Sequence, residues 1–151
     1  MEIVFTKGEQ RHRILCRRAD ASTTATSINS LLPAHDLAHF VVESGLGMQA
    51  GFYGNIAAGF SIEQLSDKAV IADLPPESMV AEVLTRAMQG MSGPSADAQN
   101  YLDLVNWELE TLKLPKPEVS LSQIERMAKE FTALIGRWNL MTPGEEMVLN
   151  F

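Results

Sequence analysis

The chain reads as an α+β protein: a small antiparallel sheet, made of an N-terminal hairpin plus a C-terminal strand, packed with five or six helices. Three patterns predict this. Residues 3–6 and 13–16 are β-branched or apolar runs on either side of a glycine-bearing turn. Residues 146–151 alternate apolar and polar side chains, and between these ends apolar residues recur at i, i+3, i+4, i+7. A lone hairpin is marginal in water, so the last strand is expected to pair with it. Helices segregated from an antiparallel sheet suit this order of elements.

In the hairpin, Ile3, Phe5, Ile14 and Cys16 share the face expected to be buried, and Lys7-Gly8-Glu9-Gln10 forms the turn. His12, close to that turn, is expected to be exposed. Residues 19–30 are small and polar without a period, which predicts a loop. A helix over 36–44 follows, with Pro33 tolerated at its start and Gly45 or Gly47 able to close it. Leu37, Phe40, Val41 and Ser44 form its inward stripe. Residues 48–58 read as a second helix packing through Phe52 and Ile56. Its interior glycines Gly51 and Gly54, each costing about 1 kcal/mol relative to alanine, point to close backbone approach. Ser61-x-x-Gln64 is a capping box, predicting a short helix over 62–67.

Leu74-Pro75-Pro76 starts a longer helix with Met79, Val80, Val83, Leu84, Ala87, Met88 and Met91 on its core stripe, ended by Gly90 or Gly93. Pro94-Ser95 opens the next, where Ala98, Tyr101, Leu102, Val105, Leu109 and Leu112 keep helical spacing until Pro115 and Pro117. Ser122-x-x-Glu125 caps a last helix bearing Ile124, Met127 or Ala128, Phe131, Leu134, Ile135 and Trp138. Thr142-Pro143-Gly144-Glu145 turns the chain into the final strand, where Met147, Leu149 and Phe151 share a face. There is no internal repeat, and residues 1–151 read as a single domain. That length can bury roughly two thirds of the unfolded surface.

Composition narrows the function. Hydrophobic residues make up 46% and charged residues 21%, ordinary for a globular chain. Cys16 is the single cysteine, which excludes an intramolecular disulfide and a cysteine-cluster metal site; its thiol is expected to pack as a small apolar group. No basic leader precedes an apolar run and no apolar stretch is long enough to span a membrane, so a cytoplasmic location with no membrane partner is expected. The net charge is −7, unevenly placed. Residues 1–18 hold Lys7, Arg11, Arg13, Arg17 and Arg18 against Glu2 and Glu9, a local excess of positive charge expected on a solvated sheet face. The remaining acidic body is repelled by phosphates, which argues against a nucleic-acid partner. Neither a phosphate-binding glycine loop nor a Gly-x-Ser-x-Gly elbow is present.

One stretch carries chemistry. Leu32-Pro33-Ala34-His35-Asp36-Leu37-Ala38-His39-Phe40-Val41-Val42-Glu43 holds two of the three histidines. On a helix, His35, Asp36, His39 and Glu43 gather opposite the apolar stripe. Histidines at i, i+4 stand about 5–6 Å apart at Cβ, close enough to share one ion. Glu43 lies about 12 Å along the axis from His35, so a straight helix cannot bring all three to one ion. Asp36 or a residue from another segment would complete the shell, or Glu43 would orient His39 through its other ring nitrogen. The same face also reads as a solvated helix side, or as a metal-free cleft. The zincin pattern His-Glu-x-x-His is absent, since Asp36 follows His35.

The same residues, followed by Gly51-Phe52-Tyr53-Gly54-Asn55-Ile56-Ala57-Ala58-Gly59, resemble an uncharacterised bacterial family sharing a Leu-Pro-His-Asp-Leu-x-His-Phe-Val-Val-Glu signature. Here Ala34 is an extra residue between Pro33 and His35. The match covers about residues 31–60 and implies no established activity. His35, Asp36 and His39 are also similar to the His-Asp-x-x-His zinc motif of the ubiquinone-biosynthesis family, but Gly51 stands where that motif has its glutamate. Two functions are therefore expected as alternatives. One is a divalent-metal protein, with zinc the first choice, extending to a metal-dependent hydrolase-like enzyme of unknown small-molecule substrate. Its ligands would be His35 and His39, with Asp36 or Glu43 as carboxylate support. The other is a non-catalytic helical interaction or homodimerisation protein with no metal.

Overall fold

The α+β architecture is built on one four-stranded antiparallel sheet, seen in a computed structural model that describes residues 1–28, 33–93 and 96–151. Strands β1 (Glu2–Thr6), β2 (His12–Arg17), β3 (Thr23–Ile28) and β4 (Glu146–Asn150) lie in the order β3-β2-β1-β4. β1 pairs Ile3 with Cys16 and Phe5 with Ile14 on one side, and Ile3 with Leu149 and Phe5 with Met147 on the other. Strand side chains alternate between faces, so these six residues form one buried layer under the helices.

The sheet has one strand more than expected. Residues 23–28 pair along β2 from Arg17↔Thr23 to His12↔Ile28. Their Thr-Thr-Ala-Thr-Ser-Ile run lacks apolar alternation because β3 is a mostly exposed edge strand, where β-branched threonine suffices. Asn29 and Ser30 of the expected loop, Leu32 of the signature, and the Pro94-Ser95 helix start lie outside the described residues.

The helices are α1 (Ala34–Leu46), α2 (Phe52–Ala57), α3 (Lys68–Ala72), α4 (Pro76–Gln89), α5 (Ala98–Thr111) and α6 (Leu121–Leu140). α1 ends at Gly47, whose φ of 66° turns the chain so that the Met48 N–H reaches the Glu43 carbonyl at 2.9 Å. α4 begins with proline at its first turn. The capping box of α6 is Ser120 with Gln123, two residues earlier than the Ser122–Glu125 pair. The Ser61–Gln64 pair does bond reciprocally, at 2.8 and 3.1 Å, but opens only a single tight turn, Gln64–Ser66. Asp67 then caps α3. No helix among the described residues is long and apolar enough to cross a membrane.

Two basic residues of the hairpin are half-buried and bound to main-chain carbonyls. Arg18 donates to the carbonyls of Ile56 and Phe60 at 2.5 and 2.6 Å, closing the C-terminal end of α2. Lys7 donates to the Trp138 carbonyl at 2.9 Å, favourable at the negative end of the α6 dipole. His12 is buried rather than exposed: its ring meets Trp138 edge-on at 4.8 Å between centroids, and Nδ1 accepts the Gly8 N–H at 3.1 Å. The turn is tight enough to fold the imidazole back over α6.

Candidate metal centre

α1 carries its polar residues against other helices. Of its expected inward stripe Leu37, Phe40 and Val41 are buried and Ser44 is exposed, while His39 and Glu43 are buried too, at 5% and 0% exposure. The cover comes from α4 and from the start of α2. Along α4, Ser78, Glu82, Thr85 and Gln89 follow one another at i, i+4, i+7, i+11, a polar stripe beside the apolar one. Gln89 Nε2 lies 3.2 Å from His35 Nδ1, and Thr85 Oγ1 lies 3.3 Å from His39 Nδ1. Ser78 binds Asn55 and the Ala50 carbonyl in the segment leading into α2.

The two helices bring three donor atoms together. His35 Nε2 is 3.2 Å from His39 Nε2. Glu82 Oε2 is 3.3 Å from His39 Nε2 and 3.7 Å from His35 Nε2. Arg86 stands 3.6 Å from the other Glu82 oxygen, Oε1, which leaves Oε2 turned to the histidines. His35, His39 and Glu82 form a group that could hold a metal ion.

Glu43 serves that group from behind. Its carboxylate accepts from His39 Nδ1 at 3.0 Å, from the Phe52 N–H at 2.8 Å and from the Gly54 N–H at 3.0 Å. A Cβ built on Gly51 would stand 2.3 Å from the Glu43 carboxyl carbon, so only glycine lets α2 approach this closely. Gly54 is equally confined, against the Gln49 backbone at 2.4 Å. The small residues thus serve close backbone approach, and α2 is correspondingly shorter than the 48–58 helix expected. With its Nδ1 directed at Glu43, His39 presents Nε2 toward Glu82 and His35.

Electrostatics follow the geometry. Burial pulls the His39 imidazole down, but hydrogen bonds and charge from Glu43 and Glu82 outweigh it and hold it up at about 9. Burial and the neighbouring His39 lower His35. The hydrogen bond with His39 holds Glu82 below the usual carboxylate range. His39 Nε2 is therefore a place where positive charge is stabilised, whether it arrives as a proton or as a cation.

Asp36 is not part of the donor group. It is half-buried, burial raises its carboxyl, and its charge is felt by Cys16 and Tyr53 on the sheet side of α1. Of the residues expected at the site, His35 and His39 meet, Glu43 backs His39, and Asp36 faces elsewhere. Glu82 was not anticipated. Its signal is the polar stripe Ser78–Glu82–Thr85–Gln89 running beside the apolar stripe of the same helix.

No protein-family model, curated protein or solved structure matches the chain.

The three donors open into a cleft of about 790 Å³ between α1, α3, α4 and the residues after α5. Protic wall groups besides the donors are Asn55, Ser78 and Lys68. The Asn55 amide donates to the Ala50 and Gly51 carbonyls at 2.8 and 2.7 Å, and Ser78 donates to Ala50. Among the described residues, Glu82 is the one carboxylate that lines this cleft.

Proposed function

We propose that this protein binds one divalent cation, zinc first among them, through His35 Nε2, His39 Nε2 and Glu82 Oε2. One observation carries the reading. Zinc bonds of about 2.0–2.2 Å at tetrahedral angles hold their donors about 3.3 Å apart, and the three edges of this triangle are 3.2, 3.3 and 3.7 Å. Three protein donors leave a fourth position for water or a ligand, the pattern of zinc sites that do chemistry rather than of closed structural ones. The Glu43 carboxylate on His39 Nδ1 supports it, since metal-bound imidazoles usually donate their other N–H to such a partner. An ion here would lower the pKa of a bound water and so supply a hydroxide for hydrolysis.

The test is elemental analysis of protein purified without chelators. One equivalent of a divalent metal is expected, falling to background in Glu82→Gln. Background metal in the unaltered protein overturns the reading. A second reading, a helical interaction or dimerisation surface without metal, draws on Leu104 and Trp107, which stand 50% and 66% exposed one turn apart on α5. Sedimentation equilibrium would reveal a dimer that Trp107→Glu dissociates.

A further inference from the structure

The cleft above the donors concentrates apolar surface in an unusual way. Ile71, Met79 and Leu112 are among the large hydrophobic side chains left exposed, at 39%, 43% and 47%, and all three line this one cleft. They come from α3, α4 and the residue following α5, elements with no sequence reason to share an exposed apolar patch. Phe52, Leu65 and Leu74 extend the same wall inward. Apolar side chains left in water at a concave surface mark a place a ligand covers. The volume of about 790 Å³ lies within the range of about 300–1,000 Å³ typical of small-molecule sites.

Few polar groups of the cleft wall are left to recognise a ligand. Asn55 donates within the protein through its amide, as does Ser78 through its hydroxyl. The groups left to meet a ligand's polar part are the His35–His39–Glu82 end and Lys68, which forms no ion pair among the described residues. A divalent ion held by two neutral imidazoles and one carboxylate keeps one positive charge, and Lys68 adds another. The occupied donors would thus form an electropositive head, with Lys68 a further cation on the cleft wall and the rest of the wall largely apolar, although the chain as a whole carries −7.

The geometry points to an amphipathic monoanion as the ligand of this site: a compound with a single carboxylate-like head at the fourth metal position and an unbranched or ring-bearing apolar body against Ile71, Met79 and Leu112. This rests on the metal reading above. Each methylene moved from water into the wall tightens binding about fourfold, so chain length is the readout.

The experiment is calorimetric titration of zinc-loaded protein with hexanoate, octanoate and decanoate, and with decanol, with zinc content measured on every sample. Affinity is expected to rise by about 250-fold from hexanoate to decanoate, and decanoate should bind at least tenfold tighter than decanol. Ala72→Trp, on the exposed cleft wall, should weaken decanoate tenfold or more while zinc stays at one equivalent. If zinc is bound but affinity does not follow chain length, or decanol equals decanoate, the ligand inference falls and the metal reading stands. If no zinc is held, both fall.

Discussion

Two histidines are equally buried in this molecule, His12 on β2 and His39 on α1, and their surroundings contrast. His12 and His39 are each 5% exposed. His12 lies edge-on to Trp138 and accepts a backbone N–H through Nδ1, so its ring serves packing and the geometry of the hairpin turn. His39 stands between carboxylates, with Glu43 at 3.0 Å from Nδ1 and Glu82 at 3.3 Å from Nε2. Burial is the same; what surrounds the ring decides its task. A histidine faced by negative charge at both nitrogens is prepared to carry a cation, and one held against an aromatic ring is prepared to fill space.

The largest contrast should come from truncating each ring. His39→Ala is expected to reduce bound metal to background. His12→Ala should leave one equivalent in place while lowering stability by about 1–3 kcal/mol through lost packing and an unpaired Gly8 N–H. Elemental analysis beside thermal unfolding reads both. Equal metal loss in the two variants would erase the distinction.

Next in size are changes behind His39. Glu43→Gln replaces an acceptor of three hydrogen bonds with a group that must turn N–H donors toward other donors. Metal affinity should fall about 10–100-fold. Gly51→Ala should act in the same direction by pushing the carboxylate aside. A competition titration against a chromophoric chelator measures both, and wild-type affinity in either variant would show that Glu43 does not tune the site.

Acidity offers a graded test. His39 is held at about 9 in the folded protein against an ordinary value of 6.5. In metal-free protein, the stabilisation by its protonated form is fully present below pH 6.5 and is lost as pH rises through about 9. A cation must displace that proton, so metal affinity should move oppositely, rising about tenfold per pH unit until it levels off near pH 9. Melting curves of metal-free and metal-loaded protein across this window should diverge. Parallel curves would mean that proton and metal do not compete.

The smallest effect belongs to the sheet. Burial pushes the Cys16 thiol up to about 12. It should stay unreactive toward a disulfide reagent at pH 8 until the protein unfolds, and rapid labelling of the native state would contradict its burial.

The outline of the fold was legible because its core residues keep regular spacing. Ile3, Phe5, Ile14 and Cys16, then Val83, Leu84 and Met88, then Ile124, Phe131 and Trp138 all lie where periodicity puts them. β3 was not legible, since an edge strand of threonine, alanine and serine carries no apolar rhythm. The histidine pair of the candidate site stood out, and so did the option of Glu43 supporting His39. Its third donor did not, because Glu82 reaches His39 only through the packing of α4 on α1, which no spacing within one segment encodes. His12 was misjudged for a similar reason: lying beside a turn says little about which ring the turn folds it against.

The stripe on α4 also bears on how the helix pair finds its alignment. Ser78 meets the Ala50–Asn55 segment, Glu82 and Thr85 meet the two ring nitrogens of His39, and Gln89 meets His35. Greasy surfaces alone tolerate sliding by a turn, a displacement of about 5.4 Å. Here such a slip would mismatch all four contacts together, so the two cylinders engage like a key in a lock with several pins, seated fully or not at all.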